Sequence, residues 1–236
     1  EEKAFRYAHY IKGGDTQSLS VEEICALRSR VQADIASEAA GTVFLKTHNL
    51  LGEFGGYPLQ NSAVTAGAVY IVRNPLDVVI SVARYFDFSI DEAIDYMAEE
   101  ETGTPNEEDN VPQIISSWSV NVQSWTQEAR PEVLVLRYED MLDNPQKAFK
   151  RLVSFLRQPK DPQRLKRAIR FSSFDQLKQQ EKRTGFLEKH ENANAFFRQG
   201  RKNQWRDKLT DEQVGKVIDS HREQMARFKY LPPGFS

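Results

Sequence analysis

Residues 67–81 read Gly67-Ala68-Val69-Tyr70-Ile71-Val72-Arg73-Asn74-Pro75-Leu76-Asp77-Val78-Val79-Ile80-Ser81. A continuous apolar run, rich in β-branched residues, suits a strand buried in a parallel sheet. The run stops at a fixed cation, Arg73, and a helix is predicted to start at once. Asn74 is an N-cap type, and Pro75 fits the first helical position, where no backbone donor is lost. The predicted corner therefore sets the free N–H groups and positive dipole end of a helix beside a guanidinium. Ser81 adds a hydroxyl further along the helix. Such an arrangement suits a tetrahedral anion, because the forked donors of Arg match phosphate geometry.

The same reading extends along the chain. Thr42–Thr47 and Val133–Leu136 are further runs of the buried-strand type. Ser20 and Glu23 form a capping-box pattern before Ile24, Leu27, Val31 and Ile35, which fall on one helical face. Further helices are predicted over Ile90–Met97, Pro112–Glu128, from Asn144-Pro145 through Leu156, over 161–170 and 174–183, and from Thr210 to about Phe228. Strands alternating with helices predict an α/β fold, a parallel sheet flanked by helices. The 236 residues fit one domain, 1–236. No apolar run reaches the roughly 18–20 residues of a membrane-spanning helix, so no membrane role is expected. The single cysteine, Cys25, cannot form an internal disulfide and fits a reducing, cytoplasmic setting. A net charge of -2 does not announce a nucleic-acid partner.

Several residues stand where chemistry is expected. Lys46 and His48 are two apart near the end of the first predicted strand, so an ideal strand would put both on one face. A cation and a base there suit a hydroxyl nucleophile; a hydrogen-bonded strand-end His beside a snorkelling Lys is the alternative. Tyr138 follows the third strand and is either a base-stacking ring or a core aromatic. In Phe197-Arg198-Gln199-Gly200-Arg201-Lys202-Asn203-Gln204-Trp205 a Gly lies between cations. Such a loop suits close approach to an anion or is an exposed basic turn anchored by Trp205. His9, His48, His190 and His221 lack metal-type spacing, so no metal is expected. His221 lies on the apolar stripe of the last helix and reads as structural.

In order and spacing, Lys46-Thr47-His48, Arg73 through Ser81, Trp118 through Trp125, Tyr138-Glu139-Asp140-Met141, and Arg198-x-Gly200 with Trp205 resemble the cytosolic-type sulfotransferases, most closely bacterial members. The resemblance implies the P-loop-NTPase-like sulfotransferase fold. It also implies transfer of a sulfuryl group from 3′-phosphoadenosine 5′-phosphosulfate (PAPS), leaving PAP, to a hydroxyl or amine of a small-molecule acceptor. It assigns Arg73, Ser81, Arg198 and Gly200 to the 3′-phosphate, Tyr138 to the adenine and Trp205 to support of the loop. His48 becomes the general base, and Lys46 a holder of the acceptor oxygen. Gln199, Asn203-Gln204 and Asn121 depart from the family pattern, and the N-terminal strand and Lys-Ser-Gly loop for the 5′-phosphosulfate are expected to be missing; Gly13-Gly14-Asp15-Thr16 reads as a turn. The competing expectations are a nucleotide-binding module without catalysis and a P-loop-type small-molecule kinase. Loops 49–66 and 84–112, with Tyr85, Phe86 and Phe88, are expected to line an acceptor pocket, and 99–112 reads as a lid or as disorder.

Overall fold

The computed structural model describes residues 3–12, 14–186, 197 and 199–235. In chain order the elements are α1 (Ala4–Ala8), α2 (Val21–Glu38), β1 (Glu53–Phe54), β2 (Tyr57–Pro58), β3 (Ala68–Val72), α3 (Pro75–Tyr85) and α4 (Ile90–Ala98). They continue with α5 (Trp118–Thr126), β4 (Val133–Arg137), α6 (Tyr138–Asp143), α7 (Pro145–Phe155), α8 (Pro162–Phe171), α9 (Phe174–Thr184) and α10 (Asp211–Arg227), with a 3-10 turn over Gln204–Asp207. The described chain divides into two compact units, Glu1–Ala68 with Tyr96–Val133, and Val69–Asp95 with Leu134–Ser236.

The first unit is built on α2. Ser20 and Glu23 cap it reciprocally, as their spacing predicts. Ile24, Val31 and Ile35 are buried with Ala4, Tyr7 and Val111, and Leu27 packs against this cluster. Segment 49–66 contains the antiparallel hairpin β1–β2, turned by Gly55 and Gly56 at φ 59° and 81°. Two successive positive φ values are what a tight hairpin turn requires. Behind the hairpin, Gln32 donates to Leu59 O at 3.2 Å, and Asn61 Nδ2 donates to Ser29 O at 2.7 Å.

Three sequence expectations fail here. Thr42–Thr47 enters no ladder among the described residues, and Val43, Phe44 and Leu45 are 44%, 70% and 40% exposed. An unbroken apolar run has no periodicity that would reveal whether a pairing strand lies beside it. The helix expected from Pro112 begins only at Trp118, where the Ser117 side chain accepts from Val120 N; Ser116 at φ 64° breaks the helical path just before it. The acidic stretch 99–112 is packed and not disordered: Val111 is buried, Ala4 N donates to Asp109 O at 3.0 Å, and Asn106 Nδ2 donates to Thr16 O at 2.7 Å.

The second unit holds the parallel pair β3–β4, with helices following each strand. The pair occupies the predicted positions, but Val69 and Ile71 of β3 remain 37% and 51% exposed. Apolar content predicted a strand; it did not say which face another layer would cover. Leu76, Val79, Ile80 and Ala83 form the buried face of α3. Against α3 packs α10, capped by the Thr210–Gln213 box and burying Val214, Val217, Ile218, His221 and Met225.

Candidate functional site

The corner between β3 and α3 is fixed by one buried carboxylate. Glu139 Oε1 accepts from Asn74 N at 3.0 Å, and its Oε2 accepts from the Tyr230 hydroxyl at 2.7 Å. That hydroxyl also lies 3.3 Å from Val72 O, the last strand residue. Burial, and then the negative charge of Glu139, push the Tyr230 phenol well above its ordinary pKa, so the proton stays on oxygen. Asn74 Oδ1 in turn accepts from Leu76 N at 3.0 Å, the cap its residue type predicts.

On this corner Arg73, Ser81 and Tyr138 come together. Arg73 Nη1 lies 3.5 Å from Ser81 Oγ, and its guanidinium carbon sits 4.5 Å from the Tyr138 ring centroid. Tyr138 opens α6 directly after β4, so the two strand ends deliver the cation and the ring to one place. A guanidinium over an aromatic face is attracted by the ring quadrupole, which helps hold it in place. Arg73 Nε is buried and meets no acceptor among the described residues.

The loop that follows α9 reaches the same helix. Asp77, 1% exposed in the first turn of α3, accepts from Asn203 N at 2.6 Å and from Trp205 N at 3.1 Å. The Trp205 indole N–H is buried and likewise finds no acceptor among the described residues. Lys202 pairs with Asp143 at the end of α6. Gly200 has φ +58°, and a Cβ there would stand 2.2 Å from the Phe174 ring. Its lack of a side chain therefore admits Phe174, a reason the sequence did not suggest. Arg198, Gly13 and His190, singled out in the sequence, lie outside the described residues.

Lys46 and His48 belong to the first unit, both with exposed side chains. The strand expected to carry them enters no ladder among the described residues. The main chain of His48 is nevertheless tied down: its N–H donates to Gln113 Oε1, and its carbonyl accepts from Asn121 Nδ2 at 3.2 Å. Asn121 also donates to Ile115 O at 2.8 Å. Next door, Trp125 Nε1 donates to Asn49 O at 3.1 Å. Tyr85, Phe86 and Phe88 form an aromatic cluster at the end of α3, with Tyr85 edge-on to Phe86 at 4.9 Å and Phe86 stacked on Phe88 at 5.4 Å.

Glu139, Asp77, Tyr230 and Asn121 were not singled out as organisers. Asp77 and Glu139 shared one local signal, a carboxylate in the first turn of a helix, and that pattern ordinarily means no more than a favourable dipole contact. Among the described residues no group of three or more His, Cys, Asp or Glu side chains is placed to hold a metal ion. No helix among them is long and apolar enough to cross a membrane.

Comparison with known proteins bears on this geometry. The sulfotransferase domain family matches residues 19–229. Sulfotransferase 2A2 of Rattus norvegicus is 30% identical over 72% of this chain and 59% of its own length. Flavonol 3-sulfotransferase of Flaveria bidentis is 31% identical over 67% of this chain and 55% of its own. The chain thus spans less than two thirds of either relative. A mouse sulfotransferase, SULT7A1, complexed with PAP superposes with TM-score 0.58 at 21% identity over 72% of this chain and 61% of that one. Retinol dehydratase in complex with androsterone and PAP superposes with TM-score 0.60 at 18% identity over 93% of this chain and 64% of that one. The α/β architecture seen here is the one those structures share, and the chain belongs to the sulfotransferase domain family.

Proposed function

We propose that this protein moves a sulfuryl group from PAPS to a hydroxyl or amine of a small-molecule acceptor, in the cytoplasm. The observation that carries the reading is the Arg73–Ser81–Tyr138 cluster at the corner between β3 and α3. A 3′-phosphate there would take charge-assisted bonds from the guanidinium, a hydroxyl bond from Ser81 and the favourable end of the α3 dipole. Tyr138 would bear on the adenine, with Trp205 and Gly200 in the loop that closes the subsite and Arg198 contributing from the same loop. The buried N–H groups of Arg73 and Trp205 fit an anionic, acceptor-rich ligand.

In the reaction, the acceptor oxygen or nitrogen would attack sulfur in line. The bond between sulfur and the bridging oxygen of the 5′-phosphate breaks, and PAP leaves with that electron pair. His48 would take the acceptor proton, and Lys46 would offset charge on the oxygens in transfer. General-base help of this kind is worth roughly 10²–10⁴ in rate. Support for His48 as base is the family motif together with a main chain held on both sides, by Gln113 and Asn121. The flavonol relative's name points, for that protein, to a small hydroxylated acceptor; a similar class is proposed for this chain.

Calorimetric titration with PAP and with adenosine 5′-phosphate tests the binding half. The wild type should prefer PAP by roughly tenfold or more, a charge-assisted contact being worth about 1.5–3 kcal/mol. Arg73→Ala should erase most of that preference. His48→Ala should leave PAP affinity within about twofold and lower sulfuryl transfer roughly 10²-fold or more. Equal affinity for the two nucleotides would refute the subsite. PAP binding with no transfer to any acceptor would leave a nucleotide-binding module.

A further inference from the structure

We propose that Asp77 is a positioning residue for 3′-phosphate recognition, its buried carboxylate latching the 199–205 loop onto the first turn of α3. The inference rests on the nucleotide reading above and adds a residue that does not touch the ligand.

Asp77 has no capping work to do for its own helix. Leu76 N is taken by the Asn74 side chain, while Asp77 N and Val78 N are taken by Asn74 O at 2.9 and 3.0 Å. The Asn74 N–H is held by Glu139. Both carboxylate oxygens are therefore turned away from the helix, and each accepts one loop amide, Asn203 N at 2.6 Å and Trp205 N at 3.1 Å. Two amides two residues apart converge on one carboxylate because Asn203 is in the left-handed region, φ 61° and ψ 27°. Asn is among the few non-glycine residues that adopt this conformation readily.

The latch is joined to the anion subsite through one residue. Ser81 Oγ lies 3.4 Å from the Asp77 carbonyl, and Arg73 Nη1 lies 3.5 Å from the same hydroxyl. The carbonyl of Asp77 thus meets the hydroxyl beside Arg73 while its side chain fixes the loop that carries Gly200 and Trp205. A carboxylate in the first turn of a helix is favoured by the dipole, and here it is 1% exposed. Its oxygens are taken up by loop amides and not by an ion pair with Arg73, which would neutralise the cation the phosphate needs.

Asp77→Asn keeps the shape of the side chain but sets an NH2 group against one of the two loop amides. The ratio of adenosine 5′-phosphate to PAP dissociation constants should fall roughly tenfold, with adenosine 5′-phosphate affinity moving by less than about threefold. Hydrogen exchange across 199–205 should rise while exchange in α10 stays at the wild-type rate. Asn203→Val attacks the latch from its exposed side, since a β-branched residue resists φ near 61°. It should lower the same ratio with little loss of stability, and it decides the question if Asp77→Asn does not fold. A wild-type ratio in folded Asp77→Asn or in Asn203→Val overturns the latch. If the wild type itself does not prefer PAP, the nucleotide reading fails instead, and unchanged exchange at 199–205 in the variants then removes the latch as well.

Discussion

Tyr230→Phe removes one oxygen from a buried polar contact of the second unit. Tyr230 is 4% exposed and Glu139 8%, so water cannot readily replace the lost donor. The ring stays, and with it the Arg137 guanidinium stacked 4.7 Å from its centroid. What is lost is the 2.7 Å bond to the carboxylate and the 3.3 Å contact with Val72 O. Hydrogen bonds to charged groups contribute about 1.5–3 kcal/mol, so the variant should lose about 2 kcal/mol. In a chain of this size that is roughly 4–8 °C in Tm. Urea unfolding of wild type, Tyr230→Phe, Glu139→Gln and the double variant forms the cycle. The double variant should cost about 1 kcal/mol less than the sum of the singles, because each single already breaks the shared bond. Since Glu139 also holds Asn74 N, PAP affinity should fall in Tyr230→Phe although Tyr230 is no ligand contact. Strict additivity, or a loss below about 0.5 kcal/mol for Tyr230→Phe, would show that the carboxylate does not depend on this phenol and that the corner is fixed by packing alone.

Two further outcomes follow from burial and from the loop. Desolvation holds the pKa of His221 down to about 4, against 6.5 when unfolded, so the unfolded chain binds the extra proton between those values and stability falls as pH drops through that window. Relative to His221→Leu, the wild type should lose about 2 kcal/mol more between pH 7.5 and pH 5, and parallel pH profiles in urea unfolding would refute this. Gly200→Ala should weaken PAP binding, because the new methyl meets the Phe174 ring and the backbone is at positive φ. Adding Phe174→Ala should recover part of that affinity by titration, and no recovery would remove Phe174 as the cause.

How far the sequence carried the fold depends on what each feature encodes. Capping is local chemistry, and Ser20–Glu23, Asn74-Pro75 and Thr210–Gln213 each mark a helix start where the structure has one. Ala68–Val72 is recovered at its predicted bounds because a corner signal follows it directly. Thr42–Thr47 has similar composition but no such punctuation, and its strand character depends on neighbours that composition does not name. The Pro112–Glu128 reading overran because apolar spacing continued upstream of the cap at Ser117. At the site, Arg73 and Tyr138 were legible because each follows a recognisable strand, and Ser81 because it lies on the helix that the Asn74-Pro75 signal opens. Asp77 and Glu139 were not, because their partners are backbone N–H groups, which every residue has, and, for Glu139, a phenol 91 positions away. Asn203 N lies 126 positions from Asp77, and no side-chain pattern announces that pairing.

The charge pattern of the site explains why composition was silent about it. A chain of net charge -2 need not expose a broad positive field to bind a multiply charged nucleotide. Beside the proposed subsite, the carboxylates of Asp77 and Glu139 are engaged by amides and a phenol, and Asp143 is engaged by Lys202. These acids therefore organise the donors without forming ion pairs with Arg73. Discrimination would then come from the placement of a few fixed donors and not from summed charge. Preference for PAP over adenosine 5′-phosphate should consequently decline less with added salt than a field-driven preference, since partly buried contacts are screened less than exposed ones. Titrations at low and high ionic strength measure this directly. A preference that vanishes by about 0.5 M salt, well beyond the screening expected for half-buried donors, would mean that surface potential and not the Arg73 corner carries recognition.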